Sequence, residues 1–72
     1  MDREMETRHL MLADRHIADG ELRVAAQRDL LVRIDAQGGD TAAAEKFLAL
    51  LEATLVGWSS HRSLIVATLA DS

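Results

Sequence analysis

Apolar residues in the first half of the chain recur at intervals of three and four, which keeps them on one side of an α-helix. This seam of helix 1 comprises Leu10, Ala13, Ile17, Gly20, Val24, Gln27, Leu31 and Ile34. Three acid-first pairs at four-residue spacing favour a helix as well: Glu4 with Arg8, Asp19 with Arg23, and Asp29 with Arg33. No stretch alternates apolar and polar residues as a half-buried strand does. The pattern predicts helix 1 over about 4–36 and no β-strand.

The same spacing recurs in the second half of the chain, between residues 42 and 70. The seam of helix 2 comprises Ala44, Leu48, Leu51, Leu55, Trp58, Arg62, Ile65 and Leu69. Between the two segments, Gly38 suits the left-handed position that ends many helices. Asp40 or Thr41 is then predicted to cap helix 2 by accepting its free N–H groups. A turn over 37–41 therefore joins two antiparallel helices in an all-α hairpin, a single domain over residues 1–72.

The position of the turn also predicts which residues of the two helices face each other. A reversal at residues 38–40 places Gly20 opposite Trp58 and Gln27 opposite Leu51. Ala13 faces Ile65 in the same alignment. Because close packing requires a similar total volume in every layer, Gly20 is predicted to make room for the indole of Trp58.

Helix 2 carries a second apolar stripe beside its seam, formed by Phe47, Leu50 and Leu64. One neighbouring helix cannot cover both stripes, and an uncovered stripe of this size is typical of an association surface. Helix 1 has a side stripe too, comprising Met11, Ala18, Leu22, Ala25 and Val32. The sequence predicts a two-fold homodimer of hairpins that forms a four-helix bundle. The alternatives are a lone hairpin with a loose core and a bundle completed by a different protein.

Composition narrows the classes of function. The chain has 72 residues, with twelve acidic and eight basic side chains, no cysteine, one tryptophan and one phenylalanine. It therefore contains no disulfide framework and no thiolate metal site. The absence of a basic patch and the scarcity of aromatic side chains argue against a nucleic-acid surface. Because no stretch reads as a membrane span or a signal peptide, we expect a cytoplasmic protein without membrane insertion.

The polar stretch SSHRS at residues 59–63 interrupts the apolar pattern of helix 2. Arg62 falls on the seam, and an unpaired buried arginine is costly. It is therefore predicted to extend outward to water or to form an ion pair, across the hairpin with Asp14 or Asp19 of helix 1 or across the dimer. The alternative is a small polar pocket for an anion or a carboxylate, formed by Trp58, His61, Arg62 and His16.

Candidate metal and catalytic groups are sparse. The sequence ETRH places Glu6 and His9 at the Glu-x-x-His spacing of carboxylate-bridged di-iron bundles. The inward-facing glutamates that such bundles take from other helices are missing, so we expect no metal and no cofactor. A metal or small-ligand bundle that uses His9, His16 and His61 is kept as a third alternative. No Ser–His–acid set or glycine-rich phosphate loop is present, and the protein is predicted not to be an enzyme.

Residues 15–55 resemble a group of short, uncharacterised bacterial helical-hairpin proteins. The matching positions are His16, Gly38 or Gly39, Asp40, Thr41, Leu50, Leu51, Glu52, Thr54 and Leu55. The resemblance implies a bacterial origin and a helix–turn–helix skeleton, and it brings no activity, cofactor or partner.

The leading hypothesis is a structural or interaction protein that self-associates and binds another protein. Its predicted interaction residues are Phe47, Leu50, Trp58, His61, Arg62 and Leu64. The alternative is an RNA- or DNA-binding regulator, similar in outline to plasmid copy-number regulators of the repressor-of-primer type. That alternative would use the arginines of helix 1, namely Arg8, Arg15, Arg23, Arg28 and Arg33.

Overall fold

The computed structural model describes residues 2–71, which form two α-helices packed side by side in opposite directions. Helix α1 spans Arg3–Ala36 and helix α2 spans Ala42–Ala70. No strand occurs over the described residues. The prediction of an all-α helical hairpin is confirmed, and the dimeric assembly stays a prediction.

The first helix begins with a side-chain cap. Asp2 accepts hydrogen bonds from the backbone N–H groups of Glu4 and Met5, at 3.0 and 3.2 Å. These bonds satisfy two N–H groups that have no partner inside the helix. At the same end of the hairpin, the Arg3 guanidinium donates to the carbonyl of Leu69 at 2.9 Å. The two chain ends are thereby tied to each other.

The glycine pair ends α1 as the sequence predicts. Gly38 adopts a φ of 73°, and its N–H donates to the carbonyl of Asp35 at 3.0 Å. The N–H of Gly39 donates to the carbonyl of Ile34 at 2.9 Å, which completes a Schellman motif. A Cβ at Gly39 would lie 2.9 Å from Cγ2 of Ile34. Each glycine is therefore required for its own reason, the first for its backbone angle and the second for its close approach.

The second helix receives its side-chain cap from Asp40. One carboxylate oxygen of Asp40 accepts the N–H of Ala42 at 2.9 Å. Thr41, the other predicted cap, instead donates its hydroxyl to the carboxylate of Glu45 at 3.0 Å. That carboxylate lies in the first turn of α2, where the helix dipole favours a negative charge.

The core of the hairpin is thin. Every predicted seam position of both helices is buried or half-buried, yet the buried residues of the described chain are Ala13, Val24, Gln27 and Ile65. The amide nitrogen of Gln27 donates to the carbonyl of Ala44 at 3.0 Å, so this buried polar group is satisfied. That bond joins the middle of α1 to the first turn of α2.

The predicted register of the hairpin was wrong by about one helical turn. A Cβ at Gly20 would lie 3.1 Å from Cδ1 of Leu55, so this glycine makes room for Leu55 and not for Trp58. Likewise, Gln27 reaches Ala44 and not Leu51. The physical reason is the Schellman motif, which reverses the chain at residues 37–38, earlier than the assumed 38–40.

The hairpin is elongated for its mass. Its Cα radius of gyration is 16.5 Å, whereas a compact domain of this length has about 11 Å. The principal dimensions are 55 × 14 × 13 Å. Neither helix, over the described residues, carries an apolar stretch long enough to cross a membrane. The shape leaves most of each helix accessible from several sides.

Candidate functional site

The seam divides the hairpin into two flanks with different chemistry. The flank that we call the histidine face carries, next to the seam, His9, His16, Arg23, Leu30, Phe47, Thr54, His61 and Thr68. The opposite flank, which we call the acidic face, carries in the same way Asp14, Glu21, Arg28, Asp35, Glu45, Glu52, Ser59 and Val66. In an antiparallel helix pair, equivalent flanks of the two helices lie on the same side of the seam. All three histidines of the chain therefore share one face.

An aromatic cluster marks the middle of the histidine face. The rings of His16 and Trp58 are stacked, with centroids 4.1 Å apart and an angle of 3° between their planes. His61 meets Trp58 edge-on, at 5.8 Å and 72°. The Nδ1 atom of His16 lies 2.8 Å from the carbonyl of Leu12. Because a carbonyl oxygen can only accept, Nδ1 is the donor of this hydrogen bond.

A small cavity lies beside the stacked rings. Its volume is about 120 Å³, and Gly20 is one of the residues that line it. Its polar lining comes from His16, Asp19, Arg23 and Thr54. Sites for small molecules usually measure about 300–1,000 Å³. This cavity therefore has room for one inserted side chain or a few water molecules.

The structure brings together three of the four residues of the predicted polar pocket. His16, Trp58 and His61 form the aromatic cluster, whereas Arg62 turns to the acidic face. There the Nε of Arg62 donates to the carboxylate of Asp14. The predicted ion pair across the hairpin is confirmed, and the inclusion of Arg62 in the pocket was wrong. Four residues after Trp58, Arg62 lies about 40° further around α2, toward the acidic face, where Asp14 is its partner.

Helix α1 does not cover the predicted apolar stripe of α2. The exposed fractions of Phe47, Leu50 and Leu64 are 52%, 65% and 68%. Three exposed apolar residues of α1 on the same face were not predicted from the sequence: Met5, Leu12 and Leu30. The signal that could have found them is their position beside His9, His16 and Arg23, on one flank of the α1 seam.

The predicted side stripe of α1 lies away from the histidine face. Met11 and Val32 fall on the acidic side of the seam, and Leu22 falls on the outer edge of α1. All three are at least 66% exposed. One partner surface therefore cannot cover this stripe together with the apolar stripe of α2.

One of the three predicted acid-first pairs does not form. Glu4 with Arg8 and Asp29 with Arg33 lie at ion-pair distance, at 3.8 and 3.0 Å. Asp19 and Arg23 make no ion pair within residues 2–71. Both line the cavity beside the stacked rings. The centre of the histidine face thus holds one unpaired carboxylate and one unpaired guanidinium.

The remaining candidates stay predictions. Nδ1 of His9 lies 3.6 Å from the carboxylate of Glu6, and the described chain contains no group of three potential metal ligands. The helix 1 arginines of the nucleic-acid hypothesis are spread over different sides of α1. Those that lie within 4 Å of a carboxylate are Arg8, Arg28 and Arg33.

Comparison with known proteins identifies no relative of this chain. The resemblance of residues 15–55 to bacterial hairpin proteins therefore stays a prediction, and function has to be inferred from the geometry of the hairpin. No protein-family model, curated protein or solved structure matches the chain.

Proposed function

We propose that the protein is a non-catalytic association module, a helical hairpin that binds a second copy of itself and, once assembled, another protein. The observation that carries this proposal is the imbalance between covered and uncovered apolar side chains. The buried apolar residues are Ala13, Val24 and Ile65. The large apolar residues that are at least 40% exposed are Met5, Met11, Leu12, Leu22, Leu30, Val32, Phe47, Leu50, Val56, Leu64 and Val66.

The accessible area of the hairpin supports association quantitatively. A compact monomer of 7.9 kDa exposes about 4,400 Å². The hairpin exposes 5339 Å², an excess of about 900 Å² over that expectation. A standard interface removes about 800 Å² from each partner. The surplus therefore matches what one copy contributes to a stable dimer.

The size of the core supports the same proposal. Chains shorter than about 80 residues seldom gain sufficient stability from a single core, and this one has no cysteine with which to form disulfides. A partner that binds the folded state and not the unfolded state stabilises the fold by mass action. Self-association would thus supply stability that the thin seam of one hairpin lacks.

The second part of the proposal concerns another protein. In a dimer that forms through the histidine face, Met11, Leu22 and Val32 keep their exposure. Exposed apolar groups of this kind are suited to a further contact. Replacing Leu22 and Val32 with glutamate should leave the dimer intact and remove a partner that co-purifies with the unaltered chain.

Sedimentation velocity of the untagged protein at micromolar concentration tests the proposed function. We expect a species of twice 7.9 kDa, which dissociates on dilution. The midpoint of thermal unfolding should rise with protein concentration, because folding and association are coupled. A monomer over the whole range, with an unfolding midpoint independent of concentration, would overturn the proposal.

A further inference from the structure

The unpaired charges on the histidine face point to a specific arrangement of two copies. We propose that a second copy packs on this face with its turn at the opposite end. In this arrangement Asp19 of each copy pairs with Arg23 of the other. The inference rests on the proposed function, since it specifies the surface and the orientation of self-association.

The distribution of charge favours the histidine face over the acidic face as the surface on which the second copy packs. On this flank of α2, no charged residue occurs from Phe47 to Leu64. The acidic face instead carries, against Arg28 and Arg62, the carboxylates Glu4, Asp14, Glu21, Asp35, Glu45 and Glu52. Two copies that met through the acidic face would bring like charges together, which opposes association. A second copy fits the histidine face without that repulsion.

The dimensions of the histidine face are sufficient for a dimer. The hairpin is 55 Å long, and two adjacent helices with their side chains are about 20 Å wide. The face therefore offers about 1,000 Å², compared with the roughly 800 Å² that each partner contributes to a standard interface.

The residues of α1 are arranged symmetrically about the level of Glu21. Asp19 and Arg23 are equally far from that level, on opposite sides of it. Leu12 and Leu30 are also equally far from it. A two-fold axis at this level, perpendicular to the helices, places α1 antiparallel to its copy. Asp19 then lies opposite Arg23, and Leu12 opposite Leu30, in the reciprocal manner that a two-fold interface requires.

The second helix shows the same symmetry. The contact between Gly20 and Leu55 sets Thr54 close to the level of the axis. Phe47 and His61 lie about two helical turns from Thr54, on opposite sides of it. The two-fold axis therefore places Phe47 of one copy against His61 of the other, a contact between two planar rings.

An arrangement in which the turns of both copies lie at the same end of the dimer lacks this complementarity. With both turns at one end, α1 of each copy packs on α2 of the other, along its uncharged flank. Asp19 and Arg23 would then lose water without gaining an opposite charge from the second copy, which is unfavourable. Electrostatics thus favours the arrangement with turns at opposite ends.

Charge reversal tests the proposed ion pairs. The variants Asp19→Arg and Arg23→Asp should each dimerise at least about tenfold more weakly than the unaltered chain, because each places like charges together twice per dimer. An equimolar mixture of the two variants should regain the original affinity as a heterodimer. The double variant Asp19→Arg/Arg23→Asp should also regain it. An intrahelical pair cannot produce rescue by mixing, so a mixture no tighter than its components would overturn the pairing.

A spin–spin distance tests the orientation. The chain has no cysteine, so Gln37→Cys allows one nitroxide per copy at the exposed turn. A separate control variant, Ser60→Cys, carries the same nitroxide and shows whether labelling itself disturbs the dimer. Opposite ends predict about 50 Å between the labels at the turn, from the helical rise over the length of α1. Same ends predict about 25 Å or less, the width of a four-helix bundle. A dimer with the short distance would overturn this inference and leave the proposed function standing, whereas a monomer would overturn the proposed function itself.

Discussion

The two faces of the hairpin expose similar apolar side chains and differ in what surrounds them. Leu64 on the histidine face is 68% exposed, and Val56 on the acidic side of the same helix is 66% exposed. The flank of α2 that carries Leu64 has no charged residue from Phe47 to Leu64, whereas Val56 follows Glu52 by one turn on a flank rich in carboxylates. Exposed apolar area alone therefore does not identify an interface. The charge around that area decides whether a second copy can cover it.

Two seam residues of α2 show where the faces diverge. Trp58 leans to the histidine face and stacks on His16. Arg62, about one turn later, leans to the acidic face and pairs with Asp14. The first contact partly buries a large ring, whereas the second joins two side chains that remain 43% and 53% exposed. The histidine face is thus stabilised by burial and the acidic face by solvated charge.

The largest expected effect on the dissociation constant of the dimer comes from comparing a lysine on the histidine face with a lysine on the acidic face. Leu64→Lys should weaken dimerisation at least about 100-fold, because it buries an unpaired cation in each copy. Val56→Lys should change the dissociation constant by less than about threefold, because its ammonium stays in water beside Glu52. Sedimentation equilibrium measures both constants. Equal weakening by the two variants would show that the faces do not differ in association.

A smaller effect should follow from truncating the aromatic cluster. Trp58→Ala removes a half-buried ring and its stacking contact with His16, and should lower the free energy of unfolding by about 2 kcal/mol. Arg62→Ala should lower it by less than about 1 kcal/mol, because the ion pair is solvated. Urea unfolding followed by circular dichroism at 222 nm, at one fixed protein concentration, compares the two. A larger loss for Arg62→Ala would reverse the ranking of the faces.

The ion pair between Asp14 and Arg62 on the acidic face should contribute little to the free energy of unfolding. In a double-mutant cycle with Asp14→Ala and Arg62→Ala, the coupling energy should be below about 1 kcal/mol and should decrease as salt is added. Unfolding of the original protein, the two single variants and the double variant provides the four free energies of the cycle, and the cycle is measured at low and at high ionic strength. A coupling that is large and insensitive to salt would mean that this pair is desolvated, as it would be if a partner covered the acidic face.

The smallest change is expected at Gly20. Alanine favours the helix by about 1 kcal/mol over glycine, and a methyl group there would lie 3.1 Å from the terminal carbon of Leu55. Because a leucine methyl can shift, Gly20→Ala should leave the free energy of unfolding within about 0.5 kcal/mol of its original value. Gly20→Val should lower it by more than about 1 kcal/mol. Thermal unfolding of both variants checks this pair, and tolerance of valine would mean that Leu55 does not fill the space at this glycine.

The spacing of apolar residues was sufficient to predict the hairpin and its seam. Period and turn residues are local signals, so Gly38 and Asp40 were recognisable from the chain itself. The register was not predictable in the same way, because it depends on where the Schellman motif reverses the chain. The prediction consequently placed Gly20 against Trp58 instead of Leu55.

The chemistry of the two faces was harder to predict than the fold. The spacing of Asp19 and Arg23 matches that of Asp29 and Arg33, yet only the latter two lie at ion-pair distance. Which rotamer a long side chain adopts depends on its neighbours in space, and here those neighbours include His16 and the adjacent cavity. Sequence spacing alone could not show that the central charges of the histidine face form no ion pair with each other.

The most direct test of the central claim compares three leucines of similar exposure in the single hairpin. Leu22 on the outer edge of α1 is 71% exposed, and Leu50 and Leu64 on the histidine face are 65% and 68% exposed. In a sample with labelled leucine methyl groups, a soluble paramagnetic agent should broaden the Leu22 signals strongly. Covered by a second copy, Leu50 and Leu64 should be protected several-fold. Equal broadening of all three leucines, at a concentration where the protein is a dimer, would contradict the account.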